Sequence, residues 1–248
     1  PTLRADLAEL TDAAQWFVTR LNTNGRLLTP ELCRALYAAS LDSVQITLYA
    51  ADAAVHNALV GADGFDETVQ GIRSALAAGL NVSVNTPLCS RNADYAATLA
   101  FAASLGVRYA TCSGLIPAGG ATGEASRTTR LTPPELTQTL RTAMETARRL
   151  SLEVDFTSPG WLDEDTLRGL GFTLIPSCGA CLSNMAIAPD GAVVPCQSWL
   201  GGQPLGNILT DPWPAIWESG TCRAIRAESA KMEHLCQLNG RTADKGGC

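Results

Sequence analysis

The chain has 248 residues, 46% of them hydrophobic and only 17% charged, with a net charge of −6 and a pI near 4.9. That is enough apolar material for a sizeable core and fits one large domain with a small appendage. The same figures exclude a disordered tail, give no basic footprint for nucleic acid, and leave no apolar run long enough to cross a bilayer.

In chain order, strand and helix patterns alternate through the first two thirds at roughly thirty-residue spacing, the signature of β/α units and a parallel sheet. Four strands are predicted, over residues 17–23, 43–49, 81–85 and 108–113. Cys33 falls on a helix that begins at Pro30, where a small buried hydrophobe is the expected role. Asp66 is placed to cap a helix whose Val69, Ile72 and Leu76 form one apolar face and which stops at Gly79. Asn92 opens the next helix, which ends before Gly106, and residues 119–123 read as a loop. Thr132 and Glu135 bracket two prolines as a capping box ahead of Leu136, Leu140 and Met144. Ser158, Pro159 and Gly160 close this part, giving expected domains of residues 1–157 and 158–248.

These strands are not the continuous apolar runs expected of a parallel sheet buried on both faces. Gln45 and Thr47 alternate with Val44, Ile46 and Leu48; Ser83 and Asn85 alternate with Val82 and Val84; Thr111 and Ser113 share a face. One side of the sheet is therefore polar from strand to strand, as a hydrated or ligand-filled concavity requires. His56, near the loop after the 43–49 strand, reads as a surface or capping residue, with lining the cavity as the alternative.

The last third carries the chemistry. Cys178 and Cys181, two residues apart, can aim two thiolates at one centre across a tight turn that Gly179 makes inexpensive. Residues 184–196 read as two short strands around a Pro189-Asp190-Gly191 turn, which returns Cys196 to the first pair. A fourth ligand comes from Cys222, Cys236 or Cys248, although Cys222 near a helix start and Cys112 on a strand are most simply structural. A structural zinc and an iron-sulfur cluster both suit these thiolates. A thioredoxin-like pair fits poorly, because a hairpin follows where a helix should. Nine cysteines with no apolar targeting segment at the start point to ligation in a reducing cytosol, not to disulfides. Trp199, Trp213 and Trp217 read as packing residues, and His234 as a neighbour of the site that does not ligate it.

Residues 178–248 resemble the SPASM extension of radical S-adenosylmethionine enzymes. The resemblance rests on the Pro-Asp-Gly turn, Pro195-Cys196, the Leu-Gly-Asn-Ile run from Leu205 to Ile208, and Ile216-Trp217. It extends to the rest of the chain, from a Pro1 that looks like the end of a Gly-Gly-Glu-Pro motif, through Asn85-Thr86-Pro87-Leu88, to the run from Gly114 to Gly119. The implied fold is α/β: a partial (β/α) barrel holding the family's strands three to six, with a small cysteine-rich α+β extension. The resemblance assigns Cys178, Cys181, Cys196 and Cys248 to one auxiliary 4Fe-4S cluster. Asn239 and Lys245 stand where a second auxiliary cluster needs ligands, which leaves Cys236 as a remnant. It assigns Thr47 and Asn85 to the ribose and methionyl parts of S-adenosylmethionine, and Leu115, Ile116 and Pro117 to the strip against its adenine.

The implied activity is formation of a 5′-deoxyadenosyl radical for hydrogen abstraction from a peptide or small-molecule cofactor precursor. Electrons would come from a donor such as a flavodoxin or ferredoxin, in the cytoplasm, with no nucleic-acid or membrane partner. The C-x3-C-x2-C loop that holds the family's radical-generating 4Fe-4S cluster is not among these residues, so the reading is an N-terminally truncated enzyme whose first strand exposes an unpaired edge. The competing reading is a non-catalytic iron-sulfur or zinc module. A metal-free barrel lyase working through a Schiff base is excluded, since no Lys precedes Lys231.

Overall fold

The computed structural model describes residues 1–115, 129–199 and 202–231; Ile116, Pro117, the 119–123 loop, His234, Cys236 and Cys248 lie outside the described residues. The elements are α1 (Leu7–Ala13), β1 (Arg20–Thr23), α2 (Pro30–Ala38), β2 (Ser43–Thr47), α3 (Ala53–Val60), α4 (Phe65–Ala77), β3 (Val82–Leu88), α5 (Tyr95–Ser104), β4 (Tyr109–Gly114), α6 (Pro133–Leu150), β5 (Glu153–Phe156), α7 (Glu164–Leu170), β6 (Ala186–Ile187), β7 (Ala192–Val194), β8 (Gly206–Asn207), α8 (Trp213–Trp217) and α9 (Gly220–Lys231). They fall into two compact units, the first made of residues 1–113, 129–156 and 170–172.

The first unit is an α/β layer whose five strands lie side by side in chain order, with β1–β2, β2–β3 and β4–β5 parallel. Val44, Ile46 and Val84 on one side of the sheet are fully buried, as are Leu36, Ile72, Leu99, Leu136 and Leu140 from the connecting helices. Each such side chain contributes about 1.5–3 kcal/mol on leaving water, and this apolar layer carries most of the unit's stability. Among the described residues no helix is long and apolar enough to cross a membrane.

Several boundaries differ from those expected. The first strand begins at Arg20 and not at residue 17: Phe17 turns back onto the Ala14 carbonyl, and Phe17 and Val18 are exposed. The Asp42 carboxylate accepts from Thr19 N and Oγ1 at 2.7 and 3.1 Å, which fixes where pairing with β2 starts. α4 is capped by the Gly64 backbone, not by Asp66, which sits in its first turn. α5 is capped by Asp94, whose carboxylate accepts from Ala97 N at 3.2 Å. Asn92 instead ties a loop together, donating to the Tyr49 and Pro87 carbonyls and accepting from Cys89 N. The fifth strand was not expected at all. The Thr132 capping box is present, with Glu135 accepting from Thr132 N at 2.8 Å.

His56 is buried on α3, against the expectation of a surface or capping residue. Its ring lies edge-on between Tyr49 and Phe65, with centroids 5.9 and 5.5 Å away, and its Nδ1 accepts from Tyr49 N at 3.3 Å. Burial lowers its pKa, so the neutral ring is the folded form. A depressed folded pKa contributes stability that is present above the unfolded value near 6.5 and is lost as pH falls below it. Urea unfolding midpoints should therefore drop between about pH 7 and pH 5, and His56→Gln should flatten that slope while lowering stability at pH 7.

Candidate metal centre

The second unit contains a three-stranded antiparallel sheet in the order β6-β7-β8. The expected hairpin is there: Ala186 faces Val194, Ile187 faces Val193, and Gly191 adopts φ 84° in the Pro-Asp-Gly turn. It returns the chain so that the Pro195 carbonyl accepts from Cys181 N at 3.1 Å, the bond that sets Cys196 beside the first two cysteines.

The turn after Cys178 is closed by the Gly179 carbonyl, which accepts from Leu182, Ser183 and Asn184 N–H groups at 2.9, 2.9 and 3.0 Å. Cys181 takes the left-handed conformation, φ 55°, that the sequence reading would have given to glycine. A Cβ at Gly179 would meet Asn184 Nδ2 and Ser183 Oγ, side-chain ends that would have to shift.

Cys178, Cys181 and Cys222 are buried in one cluster with Ala180 and Ile225, and Cys196, Met185, Trp199, Leu205 and Trp217 pack against it. Burial pushes the Cys181 thiol up to about 12, with further contributions from its hydrogen bond to the Cys222 thiol and the proximity of Cys196. Burial likewise raises Cys196, opposed by backbone N–H groups of Ser198 and Trp199 that point at its sulfur. The bare Cys181 and Cys196 thiols are therefore protonated at neutral pH, and a bound cationic group would reverse that.

Helix α9 reads out this turn from one face, since Cys222, Ile225, Arg226 and Ser229 are the residues it turns inward. Arg226 donates to the Cys181 and Trp217 carbonyls, both at 2.9 Å, stacks 3.6 Å over the Trp217 ring, and places Nη2 3.4 Å from Cys222 Sγ. Ser229 Oγ donates to the Ala180 carbonyl at 2.7 Å and lies 3.7 Å from Cys178 Sγ. Arg226 and Ser229 were missed by the sequence reading, and Cys222 was set aside as structural. The i, i+4, i+7 spacing of Cys222, Arg226 and Ser229 is the signal that finds them.

The chemistry of these residues, buried thiols with N–H donors nearby, fits an iron-sulfur cluster. Among the described residues no group of three or more His, Cys, Asp or Glu side chains is placed to hold one metal ion. The thiols neighbour one another: Cys181 has Cys222 and Cys196 beside it, and Cys196 has Cys178. An iron-sulfur cluster would be held by soft thiolates of this kind, with buried sulfurs and nearby N–H donors. Cys248 lies outside the described residues.

The first unit carries the second candidate surface. By strand register, Asn22, Gln45 and Ser83 align, as do Thr47 with Asn85, Tyr109 with Glu153, and Thr111 with Asp155, so one face of the sheet is polar across all five strands. Thr111 Oγ1 accepts from Gln45 Nε2 at 3.1 Å and donates to Asn85 Oδ1 at 2.8 Å. Tyr109 OH donates to Asp155 Oδ2 at 2.6 Å; burial, then this bond, pushes the phenol up to about 12. Ser83 Oγ is buried with no hydrogen-bond partner among the described residues, which suits a face that receives a polar ligand. Thr47 and Asn85 are half-buried register partners here, and Leu115 is half-buried just beyond β4.

Residues 178–239 match the SPASM family, an iron-sulfur cluster-binding domain. Over its whole length the chain is 28% identical to the mycofactocin maturase MftC of Mycolicibacterium smegmatis, covering 63% of that protein, and 26% identical to the PqqA peptide cyclase of Ruegeria pomeroyi, covering 67%. Among solved structures it superposes on Streptococcus suis SuiB with a TM-score of 0.74 at 16% identity, over 92% of this chain and 55% of SuiB. SuiB has also been solved bound to its precursor peptide SuiA. The chain thus spans between about half and two thirds of the lengths of these proteins, and the structural likeness establishes the fold.

Thr111 is the hub of the polar network, and Thr111→Val keeps its shape while removing both bonds. The variant should lose about 1–2 kcal/mol in chemical denaturation, while Thr111→Ser, which retains the hydroxyl, should lose less.

Proposed function

Because this chain belongs to the radical S-adenosylmethionine enzymes that carry a SPASM extension, we propose that it works in peptide modification and holds one auxiliary 4Fe-4S cluster through Cys178, Cys181, Cys196 and one further cysteine. The observation that carries the reading is the buried group of thiols around the Gly179 turn, inside the segment that matches the SPASM family. The resemblance offers Cys248 for the remaining position. When bound, such a cluster supplies a one-electron donor or acceptor beside a substrate.

The chain's own residues do the holding. The Gly179 turn presents Cys178 and Cys181, the hairpin returns Cys196, and α9 buttons the turn down through its carbonyls. Trp199, Trp217 and Met185 pack against the buried cluster that contains these cysteines and limit the approach of water. On the sheet, we assign Thr47 and Asn85 to the polar parts of S-adenosylmethionine. The Gln45–Thr111–Asn85 network orients the Asn85 amide by occupying its Oδ1, which leaves its N–H groups for the ligand. Leu115, with Ile116 and Pro117, is assigned to the adenine. No residue of this chain is assigned the radical-generating step.

A peptide substrate is favoured by the names of the relatives, a maturase and a peptide cyclase, and by the SuiB complex with a precursor peptide. We also infer a cytoplasmic setting and a small redox protein as electron donor, both from the resemblance to the family.

Metal analysis of anaerobically purified protein tests the reading. Iron with an equal amount of acid-labile sulfide is expected, with a loss of about four of each in Cys181→Ala or Cys196→Ala. Zinc without sulfide would overturn it in favour of a structural module. In the holoenzyme, the same variants should still release 5′-deoxyadenosine yet fail to deliver the modified peptide, as mass spectrometry would show.

A further inference from the structure

We propose that Cys222, on the first turn of α9, supplies the fourth thiolate of the auxiliary cluster, so that the site closes within residues 178–222. The proposal rests on the iron-sulfur reading of Cys178, Cys181 and Cys196 and names the ligand that the resemblance gives to Cys248.

Three observations carry it. First, Cys222 is fully buried in the same cluster as Cys178 and Cys181, and its thiol neighbours that of Cys181. Its backbone is fixed as well, since Cys222 N donates to Ser219 Oγ at 3.1 Å, which anchors the start of the helix. A thiol that only filled space would be interchangeable with any small apolar side chain, yet this one stands within reach of a ligand sulfur and on the stripe that grips the ligand turn.

Second, the other polar members of that stripe all serve the turn. Arg226 holds the Cys181 carbonyl and Ser229 the Ala180 carbonyl, so α9 is registered against the Cys178–Cys181 backbone by two side-chain bonds of 2.9 and 2.7 Å. Cys222 is one helical turn before Arg226, which places its sulfur with the precision a ligand requires and without a mobile connection.

Third, a cation is built in beside it. A cube of iron and sulfide with four thiolates carries net negative charge, and burying that charge needs a compensating partner. The Arg226 guanidinium is immobilised by two carbonyls and the Trp217 face and turns Nη2 towards Cys222 Sγ at 3.4 Å. An N–H donor at that sulfur is the arrangement that tunes ligand sulfurs in such sites.

Iron and sulfide counts with low-temperature EPR, made anaerobically on the reconstituted protein and on Cys222→Ala, Cys222→Ser, Cys248→Ala and Cys178→Ala variants, decide the matter. Cys222→Ala should lose as much iron as Cys178→Ala, about four per chain, or retain only a three-iron form, while Cys248→Ala keeps its full complement. Cys222→Ser, nearly isosteric and therefore folded, should bind a cluster with shifted EPR g-values and a changed midpoint potential. Unaltered iron, EPR signal and potential in both Cys222 variants, with iron lost in Cys248→Ala, would overturn the proposal and leave the cluster in place. Unaltered iron in Cys178→Ala would remove the underlying iron-sulfur reading and the proposal with it.

Discussion

The Gly179 carbonyl, which accepts three successive backbone N–H groups, is the contact around which the C-terminal unit is organised. Three donors on one oxygen draw residues 182–184 over the top of the turn, and that curvature forces Cys181 into the left-handed region. A cysteine held there costs conformational energy of order 1 kcal/mol or more. It persists because the surrounding bonds over-determine it: Cys181 N is held by the Asn184 and Pro195 carbonyls, and its own carbonyl by Arg226. On the proposed reading of Cys178 and Cys181 as ligands, pre-organisation of two sulfurs is the functional return on that strain. A flexible turn would have to be ordered by the cluster itself.

The hairpin and α9 are two independent braces on this turn. One works through a backbone hydrogen bond from the strand end, the other through side chains reaching carbonyls that a turn leaves unpaired. Buried carbonyls without donors would cost about 1–3 kcal/mol each, so Arg226 and Ser229 remove a penalty as well as add a bond. Arg suits the place better than Lys would. Its planar fork can serve the Cys181 carbonyl, the Trp217 carbonyl and the Trp217 ring at once, whereas an ammonium is a single hydrated point.

What the sequence reveals depends on how local the cause is. The capping box at Thr132 and the Pro-Asp-Gly hairpin are decided by neighbouring residues, and both are found where the sequence placed them. The polar face was legible because alternation in three separate strands cannot be accidental, and register then aligned it across five. Failures came where a distant partner decides. β5 is only four residues long and carries Glu153 and Asp155, poor strand formers; Asp155 is stabilised by Tyr109, forty-six residues away in sequence. Asn92 has the composition of a helix cap, but carbonyls at Tyr49 and Pro87 compete for its amide. Phe17 and Val18 read as strand by propensity, while the carboxylate of Asp42 begins the pairing two residues later. His56 lacked any local mark of burial, because the aromatic rings that enclose it come from outside α3.

The helix stripe on α9 shows a subtler limit. Read as hydropathy, Cys222, Ile225, Arg226 and Ser229 make a weak amphipathic face, two polar residues spoiling an apolar row. Read as chemistry, the same row is complementary to a thiol-bearing turn: sulfur faces sulfur, Ile225 seals the cluster of buried residues, and the guanidinium and hydroxyl meet the carbonyls that the turn exposes. The pattern becomes intelligible only once the partner surface is known to be backbone rather than side chain, since hydropathy scores each residue against water or oil and has no value for an unpaired carbonyl. On the sheet the polar residues themselves were legible, but not their mutual bonds: Gln45, Asn85 and Thr111 form one object in which each amide is oriented by a shared hydroxyl. In both places polar residues at core-like spacing find partners that hydropathy does not score, backbone carbonyls beneath α9 and one another on the sheet.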